Sequence, residues 1–201
     1  MGMCLGLATL SDANIERVLR DPPLVWCVVA PDDPEPFEEA RAARQKPTLW
    51  SLLFGRRRQA AAAGGLELRP PEGAGTDLDK AWHGIHYLLT GTASAGDPPL
   101  DFLVAGGRAV GDIDVGYGPA RVFTREQTRS ACDALRAVTD EDLRARFDPA
   151  DMLAKEIYPE IWDRAPEHDD TLGYLIENVQ TLRRFLEQAV AQDLGMVVYL
   201  T

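Results

Sequence analysis

Cysteine is scarce: the 201-residue chain has three, at Cys4, Cys27 and Cys132. An odd count with no C-x-x-C spacing excludes a disulfide framework and gives no zinc knuckle or redox pair. The expectation is three buried, reduced thiols. Long apolar runs are also missing. The longest, Leu24 to Ala30, covers seven residues, whereas a bilayer helix needs about 20. The start, Met1-Gly2-Met3-Cys4, has no basic n-region and no signal-like core. Gly6 stands where a myristoylation motif wants Ser or Thr. These absences predict a cytoplasmic protein with no membrane partner. Basic residues are outnumbered, 21 Lys and Arg against 32 Asp and Glu, for a net charge of −11. Phosphate binding draws on Lys and Arg displacing counterions, so nucleic acid is not the expected partner. The same sign disfavours an anionic membrane surface. The local exception is Arg56-Arg57-Arg58, read as a solvated loop or a weak anion or partner patch.

What is present is ordinary for a globular chain: 45% apolar and 26% charged residues. A chain of this length buries close to 70% of its extended surface and needs no staples to fold. The pattern predicts strands at 3–9, 120–123 and 196–200, with an edge hairpin or loop over 108–118. Helices are predicted at 12–20, 35–45, 78–90, 125–138, 149–156 and 170–192. Ser11, Thr124, Thr139 and Asp148 stand at cap positions before helical spacing. Gly91 stops the helix in which Leu78, Trp82, Ile85 and Leu89 form the apolar stripe. Residues 24–29 are ambiguous between strand and helix. Strands near both ends with helices between them imply an α-rich α+β fold, a small mixed sheet covered by helices. Residues 1–201 are read as one domain, with a loop-rich insertion at about 31–75 that carries the apolar island Trp50 to Phe54.

Three segments carry residue types with chemistry. On the 78–90 helix, Asp79, His83 and His86 fall within about 60° of one another and flank the stripe of Trp82. Two imidazoles and a carboxylate at that spacing allow proton transfer or a divalent cation. But H-x-x-H is far weaker than H-E-x-x-H, so no metal and no cofactor is assigned. The bland alternative is a half-buried His86 bonded to Asp79 or a backbone carbonyl, with His83 solvated. In Gly116-Tyr117-Gly118-Pro119-Ala120-Arg121 the glycines permit a tight turn and Arg121 has the fork to grip an anion. Alternatively, Arg121 pairs with a carboxylate. In Glu156-Ile157-Tyr158-Pro159-Glu160-Ile161-Trp162, Glu156 is an acid candidate if apolar neighbours desolvate it. Otherwise it pairs with a base, while Tyr158 and Trp162 pack in the core.

Taken in order, Met1-Gly2-Met3, Trp82-His83-Gly84-Ile85-His86, Tyr117-Gly118-Pro119-Ala120-Arg121 and Ile157-Tyr158-Pro159-Glu160-Ile161-Trp162 resemble the bacterial YfbM-like family of domains of unknown function. The resemblance spans nearly the whole chain and is weakest over 31–75. It implies a stand-alone cytosolic α+β protein. It implies no activity and carries over no catalytic residue.

The functional expectation is a small-ligand- or partner-binding domain with a cleft lined by Trp82, His86, Tyr117, Arg121 and Tyr158. Arginine with aromatic rings suits a small anionic or planar ligand. The alternative is a hydrolase or transferase, with His86 as general base oriented by Asp79, Arg121 as anion stabiliser and Glu156 as acid. No G-x-S-x-G nucleophile motif supports it. A protein-interaction role through the Trp50 to Phe54 island is the third reading.

Overall fold

The computed structural model describes residues 2–44, 72–165 and 167–201. The apolar island at 50–54 and the arginine run at 56–58 lie outside these residues. Strand β1 (Leu5–Leu10) leads into helix α1 (Asp12–Arg20), where the Ser11 hydroxyl accepts from the Asn14 N–H as a cap. The ambiguous segment is neither strand nor long helix. Pro22 and Pro23 open a 3-10 turn (Pro22–Val25), and a single helical turn, α2 (Trp26–Val29), follows. Helix α3 (Glu35–Arg44) buries no residue.

Beyond the insertion come β2 (Gly75–Asp77), a 3-10 turn (Asp79–Ala81) and α4 (Trp82–Thr90), which ends at Gly91 with φ 75°. The hairpin β3 (Arg108–Asp114) and β4 (Pro119–Phe123) precedes α5 (Arg125–Ala137). Thr124 and Gln127 close the expected capping box there. Helices α6 (Asp140–Arg146) and α7 (Pro149–Ala154) are capped by Thr139 and Asp148. α7 stops two residues short of Glu156, whose φ is 54°. Helix α8 (Thr171–Ala191) and β5 (Gly195–Leu200) complete the chain.

Among the described residues, the five strands form one sheet in the order β2-β1-β5-β4-β3. The fold is α+β as expected, but every pairing is antiparallel where a mixed sheet was expected. The reason is topological. β5 enters the sheet between β1 and β4 and runs against both, and hydrophobic periodicity carries no information on strand direction.

Side chains alternate across the sheet, so β1, β4 and β5 each serve two cores. Leu5, Leu7, Phe123, Met196 and Val198 face α4 through α8. Ala8, Leu10, Ala120, Val122 and Val197 face α1 and the 22–29 segment. Each buried Leu, Val, Met or Phe side chain contributes about 1.5–3 kcal/mol. Arg121 shares the parity of Phe123, so the same alternation turns a charged side chain towards the helix-covered face. Cys132 is buried, whereas Cys4 and Cys27 are only partly so, against the expectation of three buried thiols; all three are free. Among the described residues, no helix is long and apolar enough to cross a membrane.

Candidate functional site

The polar groups of the α4 segment do not converge. His83 accepts from the Tyr158 N–H through Nδ1 at 2.9 Å. Its Nε2 must therefore carry the proton, which it donates to the Ala93 carbonyl at 2.7 Å. His83 is thus held in place, not solvated. His86 is fully buried, with Nε2 against the Ala95 carbonyl at 3.1 Å and Nδ1 without a partner among the described residues. Burial lowers the pKa of both imidazoles, against the opposing pull of those carbonyls. Asp79 turns elsewhere. It accepts from the Tyr174 hydroxyl at 2.8 Å and from Cys4 Sγ at 3.5 Å, and does not touch His86. Burial pushes the Asp79 carboxyl up, but the bond from Tyr174 leads several that outweigh it and hold it below its ordinary range. The orienting role expected of Asp79 is thus replaced by a link between the β2–α4 junction and α8. Among the described residues, no three His, Cys, Asp or Glu side chains are grouped to hold a metal ion.

Gly84, between the two histidines, explains the rest of the motif. A Cβ there would lie 2.7 Å from both Leu175 Cδ2 and Trp162 Cη2. The helix can approach α8 that closely only without a side chain. The Trp-His-Gly-Ile-His block is therefore a packing device. Trp82 stacks on His83 at 4.8 Å and near Tyr158 at 6.2 Å, and its indole N–H donates to the Met3 carbonyl. The Tyr158 hydroxyl accepts from the Met3 N–H at 3.0 Å, which ties the N-terminus down.

Three of the eight candidate residues do meet. Trp82, Tyr117 and Arg121 line one cavity of about 170 Å³, together with Leu5, Leu103 and Leu200. Asp79, His83, His86, Glu156 and Tyr158 are not on its wall. Glu156 is exposed just past α7, not enclosed by the apolar neighbours its role as an acid called for.

Arg121 enters the cavity from β4. Its Nη1 donates to the Ala105 and Gly106 carbonyls, and Nη2 to the Leu103 carbonyl at 2.8 Å. The guanidinium also lies 5.6 Å over the Phe123 ring. Among the described residues it has no carboxylate within ion-pair distance, contrary to the paired alternative. Burial pushes it down to about 10, while the charge of Asp101 pulls the other way. Three of its five N–H groups hold the 103–106 turn, and Nε–H and one Nη2–H remain. The turn at 116–118 carries Tyr117, half exposed at 51%. Asp114 Oδ1 accepts from the Gly116 and Gly118 N–H groups, and the Tyr117 N–H donates to the Leu200 carbonyl. The 98–107 segment was not foreseen as part of a site. The only sequence signals there were its bracketing Pro98-Pro99 and Gly106-Gly107 pairs.

Comparison with curated proteins yields no match. Among solved structures, the chain is similar to YfbM from Escherichia coli, a protein of unknown function. The TM-score is 0.62 at 17% identity, covering 98% of this chain and 99% of that one. At that identity the likeness is one of fold. A family model described as a domain of unknown function matches residues 1–199. The resemblance read from the four sequence blocks is upheld, and the chain belongs to the DUF1877 family.

Proposed function

We propose that the protein is a small-ligand-binding domain whose site is the cavity between β4, β5, α4 and the 103–106 turn, and that it takes a small planar anion. The observation that carries this is Arg121. A guanidinium drawn largely out of water without a carboxylate partner is costly, and the cavity it lines leaves part of its fork unspent. A carboxylate entering there gains a charge-assisted hydrogen bond in a partly desolvated setting. Trp82 and Tyr117 supply aromatic walls. The volume limits the ligand. A cavity of about 150 Å³ accommodates benzene, so 170 Å³ suits a ligand near the size of benzoate.

The catalytic alternative gains nothing from the geometry. His86 is off the cavity wall, and its Nε2 proton is committed to a carbonyl. Calorimetric titration with benzoate, and with benzyl alcohol as a neutral control of similar size, tests the binding reading. Benzoate is expected to bind at least tenfold tighter. Val104→Phe, which puts a ring into the cavity and leaves Arg121 in the chain, is expected to abolish binding. Equal affinity for the two probes, or full benzoate binding by Val104→Phe, overturns the proposal.

A further inference from the structure

On the other side of the 98–107 segment lies a second cavity, of about 180 Å³, with the opposite chemistry. Its walls are mostly apolar: Pro98, Pro99, Phe102, Phe123 and Ala131 contribute, and Gln127 and Ser130 stand on the α5 side. Phe102 and Phe123 meet edge to face at 6.5 Å. The remaining wall is backbone at Gly106 and Gly107, with φ of 70° and 69°. A Cβ on Gly107 would stand 2.8 Å from the Phe123 ring, so the segment lies directly against it.

One charge faces this apolar space. Asp101 lines it and is only 7% exposed. Its backbone carbonyl accepts from the Val104 and Ala105 N–H groups. Its carboxylate accepts no hydrogen bond, and no cation lies within ion-pair distance among the described residues. Arg121 feels its charge, but the three N–H groups it commits go to the Ala105, Gly106 and Leu103 carbonyls and none goes to Asp101. The carboxylate of a residue this enclosed is normally hydrogen-bonded or paired. An unpaired carboxylate on an apolar cavity wall is the complement of a cation with an apolar body.

We propose that this second cavity binds a small primary amine in its ammonium form, with Asp101 as counter-ion and the Phe102–Phe123 pair holding an aromatic or alkyl body. The two cavities share no lining residue. Its volume again matches a single ring with a short arm.

The test is NMR titration of the whole chain with benzylammonium chloride, benzyl alcohol and sodium benzoate, following the amides of Gly106, Gly107 and Ser130. Benzylammonium is expected to bind at least tenfold tighter than benzyl alcohol and to shift all three amides. Asp101→Asn keeps the side-chain shape and is expected to erase that preference, with benzyl alcohol affinity changed by less than twofold. Ser130→Phe, an exposed substitution at the rim, is expected to block both ligands while leaving benzoate binding in the first cavity unchanged. Ser130→Phe keeps the proposal open to refutation even where Asp101→Asn does not fold. The proposal is overturned by equal affinity for the charged and neutral probes, by an amine preference that survives Asp101→Asn, or by amine binding that survives Ser130→Phe. Loss of benzoate binding through Val104→Phe alone bears on the other cavity and leaves this comparison intact.

Discussion

The histidines of α4 and the arginine of β4 are both half-buried to buried polar groups in motif-like blocks, yet they differ in whether a cavity lies beside them. His83 has both ring nitrogens occupied, and His86 points its proton at a carbonyl inside the core. Arg121 holds three carbonyls and still lines a cavity. Residue type alone does not mark a site. What marks it is a polar group brought out of water with bonding capacity unspent and space beside it.

The sharpest way to break this contrast is to remove the arginine. Arg121→Ala frees the carbonyls of Leu103, Ala105 and Gly106 together. Each such bond to a charged donor is worth about 1.5–3 kcal/mol, and the losses are not additive, so a destabilisation of about 3–5 kcal/mol is expected in urea unfolding. A loss below about 1 kcal/mol would mean that the turn holds itself and that Arg121 serves the ligand alone.

The histidines should announce themselves differently, through pH. Both have folded-state pKa values lowered from 6.5 by burial, so the unfolded chain binds more protons below that pH. Their stabilisation is complete above about pH 6.5 and is lost as pH falls towards the lowered values. The slope is at most about 1.4 kcal/mol per pH unit for each residue. Urea unfolding at pH 7.5, 6.5 and 5.5 should show the fall. His83→Gln and His86→Gln should each flatten part of it. Asp79, Asp142 and Asp151, held below 3.8, act at lower pH and leave this window clear. A flat profile would show that the imidazoles are not locked in the neutral form.

Tyr87 extends the contrast to a third polar group of α4. Its hydroxyl donates to Asp151 Oδ2 on α7 at 2.7 Å, and burial with that carboxylate pushes its pKa up to about 12. Tyr87→Phe should cost about 1 kcal/mol in the same unfolding measurement and leave benzoate binding unchanged. A change in binding would connect the far side of α4 to the cavity.

Much of the architecture was legible because it is locally encoded. The caps at Ser11, Thr124, Thr139 and Asp148, and the stop at Gly91, are each decided within four residues. The candidate site was legible only in part. Trp82, Tyr117 and Arg121 meet across the fold, but the partners that decide their roles are distant. The carbonyls facing Arg121 belong to a turn with no periodicity, and the carboxylate of Asp79 is claimed by Tyr174, 95 residues away. Gly84 carried a signal that went unread. A glycine in the middle of an apolar helix marks close approach, and here it brings α4 against Trp162 and Leu175.

The smallest effect on stability should come with a large effect on binding. The 116–118 turn is held by backbone bonds to Asp114 and Leu200, none of which uses the Tyr117 ring. The ring is also the large apolar side chain most open to solvent among the described residues. Tyr117→Ala should therefore shift unfolding by no more than about 0.5 kcal/mol, as surface changes without such anchors do. An aromatic wall contributes about 0.5–1.5 kcal/mol to a stacked partner beyond its buried area, so benzoate affinity should fall roughly three- to tenfold. Calorimetry on the variant separates the two outcomes. Unchanged affinity would leave Arg121 a staple with a vacant space beside it, and the difference from the histidines would then be one of exposure, not of function.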